Sequence, residues 1–202
     1  VTLTVESLMY KMELAGIQKC SFIDYPGKIS CVVFTQGCDL RCPYCHNKSL
    51  LEIQEGHLEK EDVFRYLEQR AKVLEGIVIT GGEPTCQKGL AEFIVELKHF
   101  NLPIKLDTNG TSPDTLDKVL PFIDFIAMDI KTCLDPTKYS EICQTKINIT
   151  DIIRSINLIV NSGLPYQFRT TVDKEFITAE DKEQIIREMD GYTHIFQKKR
   201  GV

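Results

Sequence analysis

No apolar run in this 202-residue chain approaches the roughly 20 residues that a bilayer-crossing helix needs, so the pattern gives no reason to expect a membrane protein. The opening segment also lacks the basic start and apolar stretch of a secretory signal, which fits a cytoplasmic setting. Basic charge is scarce: 24 Lys and Arg stand against 29 Asp and Glu, a formal net charge of −5. That balance argues against a general nucleic-acid-binding surface. No proline- or serine-rich linker and no charge block divides the chain. With 43% hydrophobic and 26% charged residues, it has the composition of one globular domain able to bury a core without disulfides. Residues 1–12 are expected to be a leader or remnant, with Met12 at its edge a candidate natural start, and 13–202 the folded domain.

From residue 29 onward, short β-branched runs alternate with amphipathic ones. Strands are expected at 29–37, 76–80, 103–108, 122–131, 165–172 and 192–197. Helices are expected at 60–75, 89–100, 112–120, 148–163 and 178–189, with Ser112 as an N-cap and Pro113 at the first helical position. The stretch 131–147 is ambiguous between a short helix and loops. Strand-helix alternation calls for a parallel sheet with crossover helices. About six strands make it an α/β fold of the partial (βα)6 barrel type, with the helices outside.

Eight cysteines are unevenly distributed, and three of them, Cys38, Cys42 and Cys45, fall within eight residues. A secreted disulfide scaffold spreads its cysteines along a short chain. Clustered thiols in a long, element-rich chain point to metal or redox chemistry in a reducing compartment. Cys42-Pro-Tyr-Cys45 alone fits a thioredoxin-like dithiol, and with His46 it spells the c-type haem attachment pattern. Three cysteines with His46 also offer four ligands for structural zinc. Cys38 shifts the balance. A dithiol oxidoreductase gains nothing from a third thiol, haem attachment requires export, and no second pair of zinc ligands follows. Three thiolates from one loop can hold three corners of a cubic iron–sulfur cluster and leave the fourth iron open.

The spacing C-x3-C-x2-C, with aromatic Tyr44 just before the last cysteine, resembles the radical S-adenosylmethionine superfamily. Thr80-Gly81-Gly82-Glu83-Pro84, at the end of an expected strand, resembles the glycine-rich motif of the same superfamily. Two glycines there let backbone approach a ligand with no Cβ in the way. The resemblance implies a 4Fe–4S cluster on Cys38, Cys42 and Cys45 whose open iron chelates S-adenosylmethionine. Reductive cleavage of that cofactor and hydrogen abstraction from a substrate would follow.

Residues 16–47, together with the strings at 80–84, 106–110, 127–131 and 168–172, resemble the activating enzymes of glycyl-radical proteins, most nearly those serving anaerobic ribonucleotide reductase. The implied substrate is a glycine Cα–H on a large partner protein, and the implied reductant is flavodoxin or ferredoxin. In a partial barrel, polar residues at the C-terminal strand ends face the site. Those ends offer Asp107, Asn109, Asp129, Lys131 and Arg169 as cofactor-binding candidates; the resemblance adds Tyr44, Gly81, Gly82 and Glu83, and His46, next to the last cysteine, is equally a cofactor contact or a loop residue. Under this resemblance Tyr44 packs near the adenine, while Lys131 and Arg169 pair with the cofactor carboxylate, Arg169 in bidentate fashion. On spacing alone, Asp129 with Lys131 is equally an ordinary salt-bridged strand end, and Asn109-Gly110 an ordinary turn.

Cys20 and Cys31 are expected to be small buried hydrophobes, and Cys86, Cys133 and Cys143 are too scattered to form a second cluster motif. His57, His99 and His194 are expected to be surface or packing residues. The sequence ends with residues 193–202, where related sequences often continue, which leaves the partner-contact surface open. Two other functions share parts of the pattern. One is a radical S-adenosylmethionine enzyme on a small molecule, such as 7-carboxy-7-deazaguanine synthase. The other is a non-catalytic iron–sulfur electron carrier, which would be expected to ligate its cluster fully.

Overall fold

A computed structural model describes residues 11–198; residues 1–10 of the expected leader and 199–202 at the other end lie outside the described residues. Strands β1 (Leu14–Tyr25), β2 (Lys28–Thr35), β3 (Gly76–Gly81), β4 (Ile104–Thr108), β5 (Phe125–Asp129), β6 (Tyr166–Val172) and β7 (His194–Lys198) form one sheet in sequential order. The pair β1/β2 is antiparallel, and every later pair is parallel. Helices α1 (Lys60–Arg70), α2 (Leu90–Leu97), α3 (Pro113–Val119), α4 (Pro136–Cys143), α5 (Ile149–Asn161) and α6 (Ala179–Glu188) fill the crossovers. Sequential parallel neighbours joined by crossovers of one hand place the helices on one face of a sheet that curls as part of a barrel. Six parallel strands with helices outside are the architecture the alternation calls for. Helix α4 occupies the ambiguous 131–147 stretch, with Asp135 as its N-cap accepting from the amides of Thr137 and Lys138.

Strand β1 is the element the pattern does not announce. Its middle residues Gln18, Lys19 and Cys20 are exposed, while Leu14, Ser21 and Tyr25 are buried. Register shifts after Leu14, Gln18 and Ser21 break the period-2 alternation that marks a strand. The readable signal is Pro26-Gly27, where Gly27 takes φ +71° in the turn to β2. Cys20 is accordingly exposed rather than buried, a correction to the expectation, whereas Cys31 in β2 is fully buried. Helix α3 begins after Ser112 as expected, but the Ser112 side chain makes no capping bond. Met12 packs into the main core.

The sheet's two faces have different chemistry. Cys31, Val33, Ile77, Ile79, Ile104, Leu106, Ile126, Met128 and Phe168 belong to the main core, with Phe93 and Leu97 of α2 and Ile152 and Ile156 of α5. Residues one step out of phase point to the other face. There Val32 pairs with Val78, Val78 with Lys105, and Lys105 with Phe125. Val32, Val78 and Tyr25 form a small apolar plug at the lower end of this face, with Phe34 and Phe125 packed on it. Above that plug, toward the C-terminal strand ends, the same alternation delivers Asp107, Asp129 and Arg169.

Candidate functional site

The loop after β2 carries the three clustered cysteines, and backbone bonds pin both its ends. The Gly37 and Cys38 amides donate to the carbonyls of Leu50 and Leu51 at 2.9 and 3.2 Å. The Glu83 amide donates to the Gly37 carbonyl at 2.8 Å, tying the loop to the end of β3. Further on, the Arg41 amide donates to the Cys143 carbonyl at 2.9 Å, and the Cys45 amide closes a turn on the Cys42 carbonyl at 3.0 Å. The Arg41 guanidinium folds back on the carbonyls of Cys38 and Leu40 at 2.6 and 3.0 Å.

This close seating explains the glycine pair at the end of β3. A Cβ on Gly82 would stand 2.1 Å from the Gly37 carbonyl oxygen, and one on Gly81 would stand 2.3 Å from the Thr35 amide nitrogen. Gly81 also has φ +125°, a conformation that favours glycine. The glycines are thus demanded by the packing of two backbone segments. That requirement is separate from the ligand approach suggested by the motif.

The thirteen residues singled out from the sequence line one cavity of about 180 Å³ at the C-terminal strand ends. Cys38, Cys42 and Cys45, with Tyr44 and His46, form one wall. Gly81, Gly82 and Glu83 form the next, followed by Asp107 and Asn109, then Asp129 and Lys131, then Arg169. Within the string 168–172, strand alternation separates neighbours. Arg169 and Thr171 line the cavity, while Thr170 is turned away, its hydroxyl 2.8 Å from the Ile130 carbonyl and 2.9 Å from His194 Nε2. Leu40 and Asn47 also line the cavity without having been candidates, and the Asn47 side-chain amide reaches the Gly81 carbonyl at 3.4 Å.

A ladder of alternating charge crosses β4, β5 and β6. Lys105 Nζ bonds Asp107, the Arg169 guanidinium reaches Asp107 at 3.4 Å and Asp129 at 2.9 Å, and Lys131 Nζ reaches the second Asp129 oxygen at 3.0 Å. Three cations and two anions leave a formal +1 in the ladder. Burial opposes the charge of Asp129, but Arg169 and Lys131 more than offset it and hold the carboxyl well below the usual range. Burial likewise opposes the charge on Lys131, and Asp129, with the Cys42 thiol, holds the amine well above its usual value. The salt-bridged strand end and the cavity wall are therefore the same residues. Arg169 is not free to clasp a ligand carboxylate with its Nε edge, because that edge is committed to Asp129. Lys105, only 3% exposed, anchors the far end of the ladder and escaped notice in the sequence.

Glu83 is 1% exposed and ties two strand ends together. Its Oε1 accepts from the Thr85 amide at 3.0 Å and from the hydroxyls of Thr85 and Thr108 at 2.5 and 2.7 Å; Oε2 accepts from the Asn109 amide at 2.6 Å. Burial, reinforced by the Asp39 charge, nevertheless pushes its carboxyl up to about 7. Asp39 in turn accepts from the Asn109 side chain at 2.8 Å.

The thiols differ in their surroundings. The Cys38 sulfur accepts from the Leu40 amide at 3.4 Å, and burial pushes this thiol up to about 12. The neighbouring Cys143 thiol, aided by Lys131, pulls the Cys42 thiol down to about 7 against the effect of burial. Tyr44 is buried with its ring 5.7 Å from Phe176, and its hydroxyl has no hydrogen-bond partner among the described residues. Among the described residues, no three His, Cys, Asp or Glu side chains are gathered to hold a single metal ion. A cubic cluster takes each thiolate on a different iron and so suits thiols spaced around a loop. Three such thiols, an orphaned buried hydroxyl and a cationic wall fit a cluster with a polar ligand beside it.

Residues 32–189 match the family described as the Radical SAM superfamily. A Methanocaldococcus jannaschii protein, MJ1227, whose name places it with the glycyl-radical enzyme activating enzymes, is 35% identical over 185 residues, covering 88% of this chain and 75% of its own. The pyruvate formate-lyase-activating enzyme of Clostridium pasteurianum is 31% identical over 125 residues, covering 57% of this chain and 51% of its own. In structure, Streptococcus suis SuiB bound to S-adenosylmethionine shares the fold with a TM-score of 0.65 at 18% identity, over 83% of this chain and 39% of that one.

Proposed function

The chain belongs to the radical S-adenosylmethionine superfamily, whose cofactors are a 4Fe–4S cluster and S-adenosylmethionine, and on that premise we propose that it is an activating enzyme that installs a radical on a glycine of a protein partner. The observation that carries the reading is the meeting of the three loop thiols, the Gly81-Gly82 turn and the Asp129–Lys131–Arg169 ion pairs on one cavity. The similarity to MJ1227 across most of the chain supports the activating branch. Anaerobic ribonucleotide reductase is the partner proposed, on the resemblance of residues 16–47, with flavodoxin or ferredoxin as the reductant. The setting proposed is the cytoplasm; no helix among the described residues is long and apolar enough to cross a membrane.

In this reading Cys38, Cys42 and Cys45 hold the cluster. When bound, the two cofactors supply one-electron cleavage of a carbon–sulfur bond and removal of a hydrogen atom from the substrate. The protein's work is placement. Lys131, fixed by Asp129, presents a permanent cation to a ligand carboxylate, and Arg169 braces Asp129 from the other side. Tyr44 offers its unpartnered hydroxyl and ring face to the same ligand. Glu83 holds the ends of β3 and β4 in register, so the glycine turn and Asn109 keep their separation. These groups act by preorganisation: none has to move to complete the wall.

The test is to incubate the anaerobically reconstituted chain with S-adenosylmethionine, a low-potential reductant and purified anaerobic ribonucleotide reductase, and to record the electron paramagnetic resonance spectrum. The expected result is a glycine-centred doublet on the reductase. A doublet on pyruvate formate-lyase alone would reassign the partner. Conversion of a small molecule with no radical on any glycyl-radical protein would contradict the activating role.

A further inference from the structure

Cys143 has no part in the function just proposed, yet the fold sets it beside Cys42. It is the last residue of α4 and fully buried. Two anchors hold it there. Its carbonyl accepts the Arg41 amide at 2.9 Å, one residue before Cys42, and one turn earlier in the helix the buried Tyr139 hydroxyl accepts the Lys131 amide at 3.1 Å. Cys42 lines the cavity, and Cys143 is not among the lining residues. The Cys38 thiol is turned to the Leu40 amide and the Asp39 carboxylate instead. Cys42 therefore has a thiol neighbour that is remote in sequence and buried in the same core.

We propose that Cys42 and Cys143 form a redox pair: in a chain whose loop carries no cluster, hydrogen peroxide closes them into a disulfide that withholds Cys42 until a thiol reductant reopens it. Cys42, at the cavity, attacks the peroxide, giving a sulfenic acid and one water. The Cys143 thiol then attacks the sulfenic sulfur, forming the S–S bond and releasing a second water. Two thiols lose two electrons and two protons, and one peroxide becomes two waters. A dithiol such as dithiothreitol reverses the bond by exchange, becoming a disulfide itself. The bond needs only the two thiols; its effect on cluster assembly rests on the reading of Cys42 as a ligand. The advantage is protective, because an unpaired Cys42 in an oxidising episode would go on to the irreversible sulfinic acid.

The experiment uses the full chain, stripped of iron with a chelator, treated with one equivalent of peroxide, alkylated without reduction and mapped by mass spectrometry. The expected product is a Cys42–Cys143 cross-linked peptide, about fivefold or more above any Cys38–Cys42 or Cys42–Cys45 peptide and lost on adding dithiothreitol. In Cys143→Ser, checked for fold by circular dichroism, Cys42 should instead be trapped as sulfenic acid by dimedone. Dominance of a bond within the 38–45 loop, or sulfinic acid on Cys42 in the wild type, would overturn the pair. A second arm measures iron uptake on reconstitution. It should fall about fivefold in the oxidised wild type and return to the untreated level after dithiothreitol. A folded Cys143→Ser that takes up no iron would make Cys143 a ligand and end the proposal. A disulfide that forms without affecting iron uptake would leave the pair standing and remove Cys42 from the ligand set.

Discussion

Glu83 sets two large effects against each other, and its titration decides which one wins. Four donors converge on its carboxylate, an arrangement that favours the charged form. Burial to 1% exposure and the Asp39 charge favour the neutral form, and they prevail, moving the carboxyl from its ordinary 4.5 to about 7. At ~1.4 kcal/mol per pH unit this gap corresponds to ~3 kcal/mol. The sign follows from proton counting. Between pH 4.5 and about 7 the folded chain retains a proton that the unfolded chain has released. Stability should therefore fall as pH rises through that window and level off above it. Glu83→Gln keeps the size and one acceptor oxygen, removes the titration, and sets an amide donor against the Asn109 amide at a cost of about 1–3 kcal/mol. The assay is urea unfolding of both proteins, in reductant, from pH 4.5 to 8. The stability of the wild type relative to Glu83→Gln should drop by ~3 kcal/mol across the window, so that the variant draws level or overtakes it near neutrality. A difference that stays flat would refute the reasoning. One that grows with pH would mean the four donors win and the carboxyl is depressed instead.

Other expectations are more local. Lys105→Met should lower stability by about 1–3 kcal/mol in urea unfolding, since Asp107 loses one of two cationic partners but keeps Arg169; an unchanged midpoint would show that the ladder does not depend on its far end. Gly82→Ala should push the cysteine loop away from β3 and lower thermal stability by an amount equivalent to about 1–3 kcal/mol, because its Cβ meets the backbone oxygen of Gly37 at 2.1 Å. Retention of wild-type melting there would mean that this loop yields easily. Thr178→Ala removes the capping box that Thr178 forms with Asp181 at the start of α6 and should cost about 1 kcal/mol. Amide exchange in the first turn of that helix is the direct readout, and unchanged protection would count against the cap.

Much of the parallel sheet was legible because both its periods are written plainly. Runs such as Ile77-Val78-Ile79 are apolar at every position, as strands covered on both faces must be. The helices between them show one apolar stripe. Strand β1 was not legible, because an edge strand with bulges and an exposed centre satisfies no alternation. The candidate site divides the same way. Its loop residues were readable because cysteine spacing within eight residues is local chemistry. The strand-end residues were readable because parallel strands bring their C-terminal ends to one side. What stayed hidden were the contacts between distant segments. Nothing local marks Lys105 as the buried anchor of Asp107, or Cys143 as a neighbour of Cys42. Nor does a glycine pair reveal whether a ligand or the neighbouring loop requires it. Each of these depends on which side chain the tertiary fold sets opposite another.

The central claim is that the thiols of Cys38, Cys42 and Cys45 organise radical chemistry on S-adenosylmethionine. Its most direct measurement is 5′-deoxyadenosine formed anaerobically by the reconstituted chain with dithionite and S-adenosylmethionine, beside the three single Cys→Ser variants. The account predicts steady product from the wild type and loss from each variant with the α/β circular dichroism preserved. Wild-type product that persists in all three variants, or a wild-type chain that carries an intact cluster and forms none, would contradict it.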